Sequence, residues 1–193
     1  MARIRTFIAV ELAGGVIRRA SELIDKLRVA PVPVNWVRPE QMHLTLKFLG
    51  DVPDTQTPDI CRVVAQVARQ FEPFEIVFRG VGAFPSLEHP KVLWIGVQEG
   101  GQELKLLQAA LDEALKSQLG YPREVRPFQP HLTVGRVKRE MPAGQAQLAR
   151  ILAEQAEFDA DLTVIDEVVT FASFLSRHGP THEPLCRSGL GER

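Results

Sequence analysis

The chain has 193 residues, of which 45% are hydrophobic and 24% are charged, which is the usual composition of a globular protein. A chain of this length can bury a substantial core, so it needs neither a metal ion nor a disulfide framework to fold. The formal net charge of -1 excludes strong nonspecific affinity for nucleic acid as the main activity, and any phosphate must be recognised locally.

The sequence predicts a soluble, cytoplasmic protein. Its first residues run directly into a strand-like segment without an apolar signal region, and no apolar run approaches the roughly 20 residues that span a bilayer. The two cysteines, Cys61 and Cys186, are too few and too far apart in sequence to indicate a disulfide framework. We therefore expect free thiols in a reducing compartment, with Cys61 packed as a small apolar side chain of a helix.

Strands and helices alternate along the chain. In the first half, the patterns predict a strand, a helix, a strand, a helix and a strand at Ile4–Glu11, Val16–Val29, Met42–Leu49, Pro58–Gln70 and Phe74–Val81. In the second half, the same order is predicted at Val92–Val97, Glu103–Leu119, Pro130–Val137, Ala143–Ala156 and Phe158–Phe171, with a last strand at about His182–Arg187. The helices are predicted from apolar residues spaced three and four apart, and the strands from alternating β-branched residues.

A ten-residue segment occurs twice, at a constant offset of 88 residues. Residues 37–46 and 125–134 align without a gap and are identical at seven positions. The identical pairs are Val37/Val125, Arg38/Arg126, Pro39/Pro127, Gln41/Gln129, His43/His131, Leu44/Leu132 and Thr45/Thr133. Internal repeats of this kind indicate duplicated architecture.

The duplicated β-α-β-α-β unit predicts an α+β fold with two pseudo-symmetric lobes. We expect one bilobal domain over residues 1–193, with internal repeats at about 4–84 and 92–172. A pseudo-twofold axis would bring the two histidines to face each other across a groove. The alternative is a stack of two repeats with distant histidines, but the identities cluster around the polar His and Thr rather than in the apolar core.

The His-Leu-Thr triplets suit phosphodiester chemistry. Side chains alternate faces along a strand, so His43 and Thr45 share a polar face, and so do His131 and Thr133. One neutral imidazole can take a proton from water while a protonated one delivers a proton to a leaving oxygen. The threonine hydroxyls can donate hydrogen bonds to nonbridging phosphate oxygens.

Two other interpretations of the triplets remain open. A single His-x-Thr triplet is common on surface strands, although two in matching contexts are a much stronger signal. A metal site is disfavoured, because threonine is a poor ligand and no Cys or carboxylate lies at ligand spacing beside either histidine. We expect no metal and no other cofactor.

The paired motifs resemble the signature of the 2H phosphoesterase superfamily. Trp36-Val37-Arg38-Pro39-Glu40, followed by His43 and by Lys47-Phe48-Leu49-Gly50, resembles its RNA 2′,3′-cyclic phosphodiesterase branch, also called 2′-5′ RNA ligase. Phe7-Ile8-Ala9, Gly82-Ala83-Phe84-Pro85 and Arg126-Pro127-Phe128 match as well. The resemblance extends from about residue 3 to residue 187. The chain departs from the family pattern near the C-terminus, where His182 lies close to the position at which a tyrosine is expected.

The resemblance implies a bilobal fold with antiparallel sheets that line a central groove and helices outside. It also implies metal-independent hydrolysis of an RNA or nucleotide 2′,3′-cyclic phosphate to a 2′-phosphate, and related 2′-5′ joining. By resemblance, His43 is the proton donor and His131 the proton acceptor. Two alternatives remain: a phosphodiesterase for another small cyclic or 2′-5′-linked nucleotide, and a noncatalytic module that binds an RNA end. We expect no association with a membrane and no obligate protein partner.

Three further residues are candidates for substrate binding. Arg136 resembles the phosphate-contacting arginine of the family, but it needs a bulge near Gly135 to face the groove with His131. Lys47 lies in phase with His43 and Thr45, and Phe7 could floor the groove and stack a base. The other histidines, His89, His178 and His182, have no threonine two residues later, and we expect them at the surface.

Overall fold

The computed structural model describes residues 2–138, 142–176 and 179–191, and these contain nine strands and four α-helices. The first half comprises β1 (Arg3–Val10), α1 (Gly14–Leu27), β2 (Val34–Trp36), β3 (Leu44–Pro53), α2 (Thr57–Ala68) and β4 (Phe74–Phe84). The second half comprises β5 (Val92–Glu99), α3 (Gly101–Leu119), β6 (His131–Val137), α4 (Pro142–Glu154), β7 (Asp159–Ile165), β8 (Glu167–Ser176) and β9 (Gly179–Gly189). Short 3-10 helices lie at Pro39–Gln41 and Asp54–Gln56.

The predicted α+β class is confirmed, and one predicted strand is wrong. Residues 158–171 were expected to form one strand, but Asp166 separates β7 from β8 and the two strands belong to different sheets. Apolar residues continue on both sides of Asp166, because β7 buries alternate residues and β8 is buried from Val168 to Ala172, so the pattern alone did not reveal the break. The short strand β2 and the two 3-10 helices were not predicted.

Two antiparallel sheets exchange strands between the sequence repeats. The four-stranded sheet has the order β3-β1-β8-β9, and the five-stranded sheet has the order β2-β6-β5-β4-β7. Thus β3-β1-β8 in one sheet corresponds to β6-β5-β4 in the other. Each sheet takes its motif strand and first strand from one repeat and its third strand from the other repeat.

The helices cover the outer faces of the sheets and are exchanged in the same way. Helices α2 and α3 pack on the four-stranded sheet, and α1 and α4 pack on the five-stranded sheet. The apolar faces of α1 and α2 are buried, through residues such as Leu23 and Leu27 in α1 and Val63 and Val64 in α2. No helix in the described ranges is long and apolar enough to cross a membrane.

The two cysteines form a disulfide, which corrects the prediction of free thiols. Cys61 in α2 and Cys186 in β9 are 125 residues apart in sequence, and their Cα atoms are 6.1 Å apart. Helix α2 packs against β9 and brings the two residues together. Sequence spacing carries no information about this packing, and a chain whose cysteines are paired gives no indication of a reducing compartment.

Candidate active site

The two motif strands present their polar residues on the inner side of the fold. Leu44, Leu46, Leu132 and Val134 are buried beneath the helices. The intervening residues His43, Thr45, His131 and Thr133 are only partly buried. In the sheets, Thr45 pairs with Ala9 of β1, and Thr133 pairs with Trp94 of β5. The structure therefore places a histidine and a threonine of each repeat on the inner face, as the alternation predicted.

Both imidazoles are held by the same backbone contact. The Nδ1 atom of His131 lies 2.7 Å from the carbonyl oxygen of Gln129, and the His43 ring makes a hydrogen bond with the backbone of Gln41. A carbonyl oxygen only accepts, so Nδ1 of His131 carries the hydrogen and donates it. The Nε2 atom of that ring is then left to exchange a proton in the groove. The repeated glutamines thus supply one backbone acceptor for each histidine.

Aromatic side chains surround His43. Its ring stacks on Phe7 at a centroid distance of 4.8 Å, and Phe7 stacks in turn on Phe171 at 5.2 Å. The ring of His182 meets His43 edge-on at 5.3 Å. Burial lowers the pKa of His43 to about 4, and the charges of His182 and Arg136 lower it further, against the backbone of Gln41, which raises it. His43 is therefore neutral at pH 7 in the protein alone.

A second aromatic pair supports His131. The ring of Phe84 meets His131 edge-on at 5.1 Å and lies 5.2 Å from the ring of Trp94. The indole lies against the backbone of Gly82, where any Cβ atom would overlap the ring. Burial lowers the pKa of His131, the backbone of Gln129 raises it, and the charge of Arg136 lowers it. His131 sits in a less aromatic environment than His43.

Arg136 faces both histidines because β6 contains a bulge. The register between β5 and β6 shifts after the Trp94–Thr133 pair, so that Gly135 pairs with Leu93 and Arg136 with Val92. The bulge changes the phase of the strand, and this change places Arg136 on the same face as His131. The guanidinium is exposed, and its charge acts on the pKa of both His43 and His131. It provides positive charge beside the two imidazoles.

Lys47 does not face the groove, which corrects its predicted position. The register between β1 and β3 also shifts, so that Thr45 pairs with Ala9 but Lys47 pairs with Ile8. Lys47 is only 2% exposed and forms an ion pair with Asp112 of α3. Its Nζ atom also donates to the carbonyl oxygen of Pro122 at 2.8 Å. Strict alternation had placed Lys47 on the wrong face, because it did not include the bulge.

Phe48, and not Phe7, has an aromatic ring that is exposed to solvent beside His43. Phe7 is 3% exposed beneath His43, so it supports the imidazole and offers no free face to a base. Phe48 is 56% exposed, and its ring lies 5.9 Å from that of Phe7. Phe48 and Arg136 are related by the same offset of 88 residues, and each follows a bulge in its motif strand. The repeat offset is therefore the sequence signal that identifies Phe48 as the counterpart of Arg136.

The remaining histidines have different positions. His89 is exposed, as expected. His182 was expected at the surface, but it packs edge-on against both His43 and Phe7. His178 lies outside the described residues. Within the part of the chain that is described, no group of three or more His, Cys, Asp or Glu side chains could hold a metal ion.

The described chain has an α+β fold similar to 2H phosphoesterase structures, with one His-x-Thr motif on each of its two antiparallel sheets. A sequence model of the 2′-5′ RNA ligase superfamily matches residues 17–173. The chain belongs to this superfamily.

The chain is similar in sequence to proteins from several organisms. The chain is 38% identical to a Methanothermobacter thermautotrophicus protein named RNA 2′,3′-cyclic phosphodiesterase, over 95% of this chain and 97% of the relative. It is 35% identical to an Archaeoglobus fulgidus protein of the same name, over 94% of this chain and 97% of the relative. Among solved structures, TT0787 of Thermus thermophilus is similar with a TM-score of 0.81, at 27% identity, over 97% of this chain and 98% of that one. E. coli LigT complexed with 3′-AMP shares the fold with a TM-score of 0.73, at 21% identity, over 98% of this chain and 99% of that one.

Proposed function

We propose that this chain hydrolyses the 2′,3′-cyclic phosphate at the end of an RNA, or of a nucleotide, and leaves a 2′-phosphate. The observation that carries the proposal is the pair of imidazoles on the inner face. Each ring is hydrogen-bonded to the backbone of the residue two positions earlier, and the charge of Arg136 acts on the pKa of both. The names of the relatives support the same substrate class.

In the proposed reaction, His131 is the base and His43 is the acid. The neutral Nε2 atom of His131 takes a proton from a water molecule as its oxygen bonds to phosphorus. The bond between phosphorus and the 3′-oxygen breaks, and the Nε2–H group of His43 delivers a proton to that oxygen. The products are a 2′-phosphate and a 3′-hydroxyl, and solvent returns the proton from His131 to His43. The same groups would serve 2′-5′ joining, with a 5′-hydroxyl in place of water.

The surrounding residues would stabilise the negative charge on the phosphate. The hydroxyls of Thr45 and Thr133 donate to the nonbridging oxygens, and Arg136 supplies a positive charge. The phosphate anion of the substrate also affects the protonation of the histidines. Both histidines have lowered pKa values in the protein without substrate. A bound anion beside His43 favours its protonated form and prepares it to act as the acid.

The assignment of acid and base follows the family resemblance rather than the pKa directions. Burial lowers the pKa of both histidines, so the directions of the shifts do not by themselves tell the acid from the base. A substrate with sulfur in place of the 3′-oxygen separates the roles, because a thiolate leaving group needs little help from an acid. We expect His43→Ala to recover much of its lost rate on the 3′-thio substrate and His131→Ala to recover none. The reverse pattern would exchange the two roles.

The activity itself is tested with an oligoribonucleotide that ends in a 2′,3′-cyclic phosphate, assayed in EDTA. We expect a 2′-phosphate product and a bell-shaped pH profile, with His43→Ala and His131→Ala each losing about 10² to 10⁴ in rate. His89→Ala is the matched control, since His89 is exposed and has no part in the proposed site. Binding of a 2′-phosphate without turnover would instead favour a noncatalytic RNA-end module. If free cyclic mononucleotides turn over faster than the oligoribonucleotide, a small nucleotide is favoured as the substrate.

A further inference from the structure

A third imidazole lies against the proposed acid. His182 on β9 meets the ring of His43 edge-on at a centroid distance of 5.3 Å, and it meets the ring of Phe7 edge-on at 4.9 Å. Phe7 therefore contacts both histidines, and Phe171 packs behind it. The three rings of His43, Phe7 and His182 form one cluster on the inner face of the four-stranded sheet.

This cluster cannot easily hold two protons. Two positive charges about 5 Å apart in a partly buried site repel each other strongly, and the aromatic neighbours offer no counter-ion. The buried Nδ1 atom of His182 has no hydrogen-bond partner among the described residues, so no acceptor stabilises a second charge there. A proton on one imidazole therefore opposes a proton on the other.

The other charged groups near the cluster do not relieve this repulsion. Arg136 of β6 acts on His43 with a positive charge. Arg5 of β1 pairs with Ser173, which pairs with His182, so a second cation lies in the same row of the sheet. Glu183, next to His182, alternates to the opposite face of β9 and is exposed. The two charged groups that act on the pKa of His43, His182 and Arg136, both lower it.

We propose that His182 is a positioning residue that shares a single proton with His43 and so limits the pH range in which His43 acts as the acid. The proposal rests on the proposed function. In a molecule that carries the proton on His182, His43 stays neutral and cannot protonate the leaving oxygen. In a molecule with neutral His182, His43 is free to hold the proton. The direction of the pKa change at His43 agrees, since the charge of His182 lowers it.

The coupling is measured without substrate by following the His43 ring signals in an NMR titration. We expect His182→Phe, which keeps an aromatic ring but no charge, to raise the His43 midpoint by about 0.5 to 2 pH units. His89→Phe is the matched control and should leave it unchanged. An unchanged His43 midpoint in His182→Phe would overturn the proposal. Because this titration needs no turnover, its result stands apart from the success or failure of the proposed activity.

Two further measurements keep the test decisive if His182→Phe folds poorly. His182→Gln removes the same charge with a smaller side chain and should likewise raise the midpoint of His43 in the same kind of titration. In the turnover assay, His182→Tyr should move the alkaline limb of the kcat profile to higher pH and leave the acidic limb, set by His131, in place. A loss of kcat at all pH values with unmoved limbs would mean that His182 acts through packing alone.

Discussion

At the residue scale, the site depends on histidines that the fold keeps neutral. Burial lowers the pKa of His43, of His131 and of His182, so the folded protein resists protonation of all three rings. Sequence alone could identify the first two, because they occur in repeated triplets. It could not identify His182, whose place beside His43 depends on the register between β8 and β9. The aromatic enclosure of His43 was likewise invisible in the sequence.

The lowered pKa of His43 predicts a stability that depends on pH. The pKa of His43 is about 4 in the folded protein against 6.5 in the unfolded chain, so the unfolded chain binds more protons between these values. The free energy of unfolding should therefore fall as the pH drops from about 6.5 towards 4, with a contribution from His43 of about 2 to 3 kcal/mol by pH 4.5.

This dependence can be measured by urea unfolding at pH 7.5 and pH 4.5. The loss of stability between the two should be smaller in His43→Gln than in the wild type, because glutamine does not titrate. His89→Gln provides the comparison for an exposed histidine and should behave as the wild type. Equal losses in His43→Gln and the wild type would contradict the pKa shift.

At the element scale, two bulges decide which residues enter the groove. Strict alternation correctly placed His43, Thr45, His131 and Thr133, since these precede the bulges. Beyond the bulges it failed for Lys47, and it places Arg136 correctly only when a bulge at Gly135 is included. A bulge is a local irregularity of the hydrogen-bonded ladder, and a single sequence carries only weak signals for it. The β7–β8 break escaped prediction for a similar reason.

The corrected position of Lys47 predicts a structural role. Its ion pair with Asp112 is buried, and Asp112 also accepts a hydrogen bond from the backbone nitrogen of Glu124 at 2.9 Å. Lys47→Met should leave the Asp112 carboxylate buried without its cation and should lower the free energy of unfolding by about 3 to 5 kcal/mol. The remaining folded enzyme should keep a KM near that of the wild type.

Chemical denaturation and steady-state kinetics test this role together. Lys116→Met is the matched control, because Lys116 is an exposed lysine on α3. A raised KM with unchanged stability in Lys47→Met would instead indicate that Lys47 binds substrate.

At the scale of the whole molecule, strand exchange joins the two repeats into one structure. The sequence predicted two lobes from the repeat, but each sheet combines strands of both repeats, and the helices are exchanged in the same way. The repeat offset specifies which residues correspond, and it does not specify which strands pair. Exchange makes each sheet depend on both halves of the chain, so neither half has a complete sheet of its own.

The disulfide adds a covalent connection to this arrangement, between α2 and the strand that carries His182. Cys61 and Cys186 are separated by 125 residues of sequence, so the bridge removes much conformational freedom from the unfolded chain. We expect Cys61→Ala to lower the free energy of unfolding by about 2 to 5 kcal/mol under nonreducing conditions. Cys186→Ala should have a similar effect, and the double variant should lose little more than either single variant, since one bridge is lost in each case. Additive losses, or two thiols that react in the denatured but unreduced wild type, would show that the cysteines stabilise the fold by packing and not by a covalent bond.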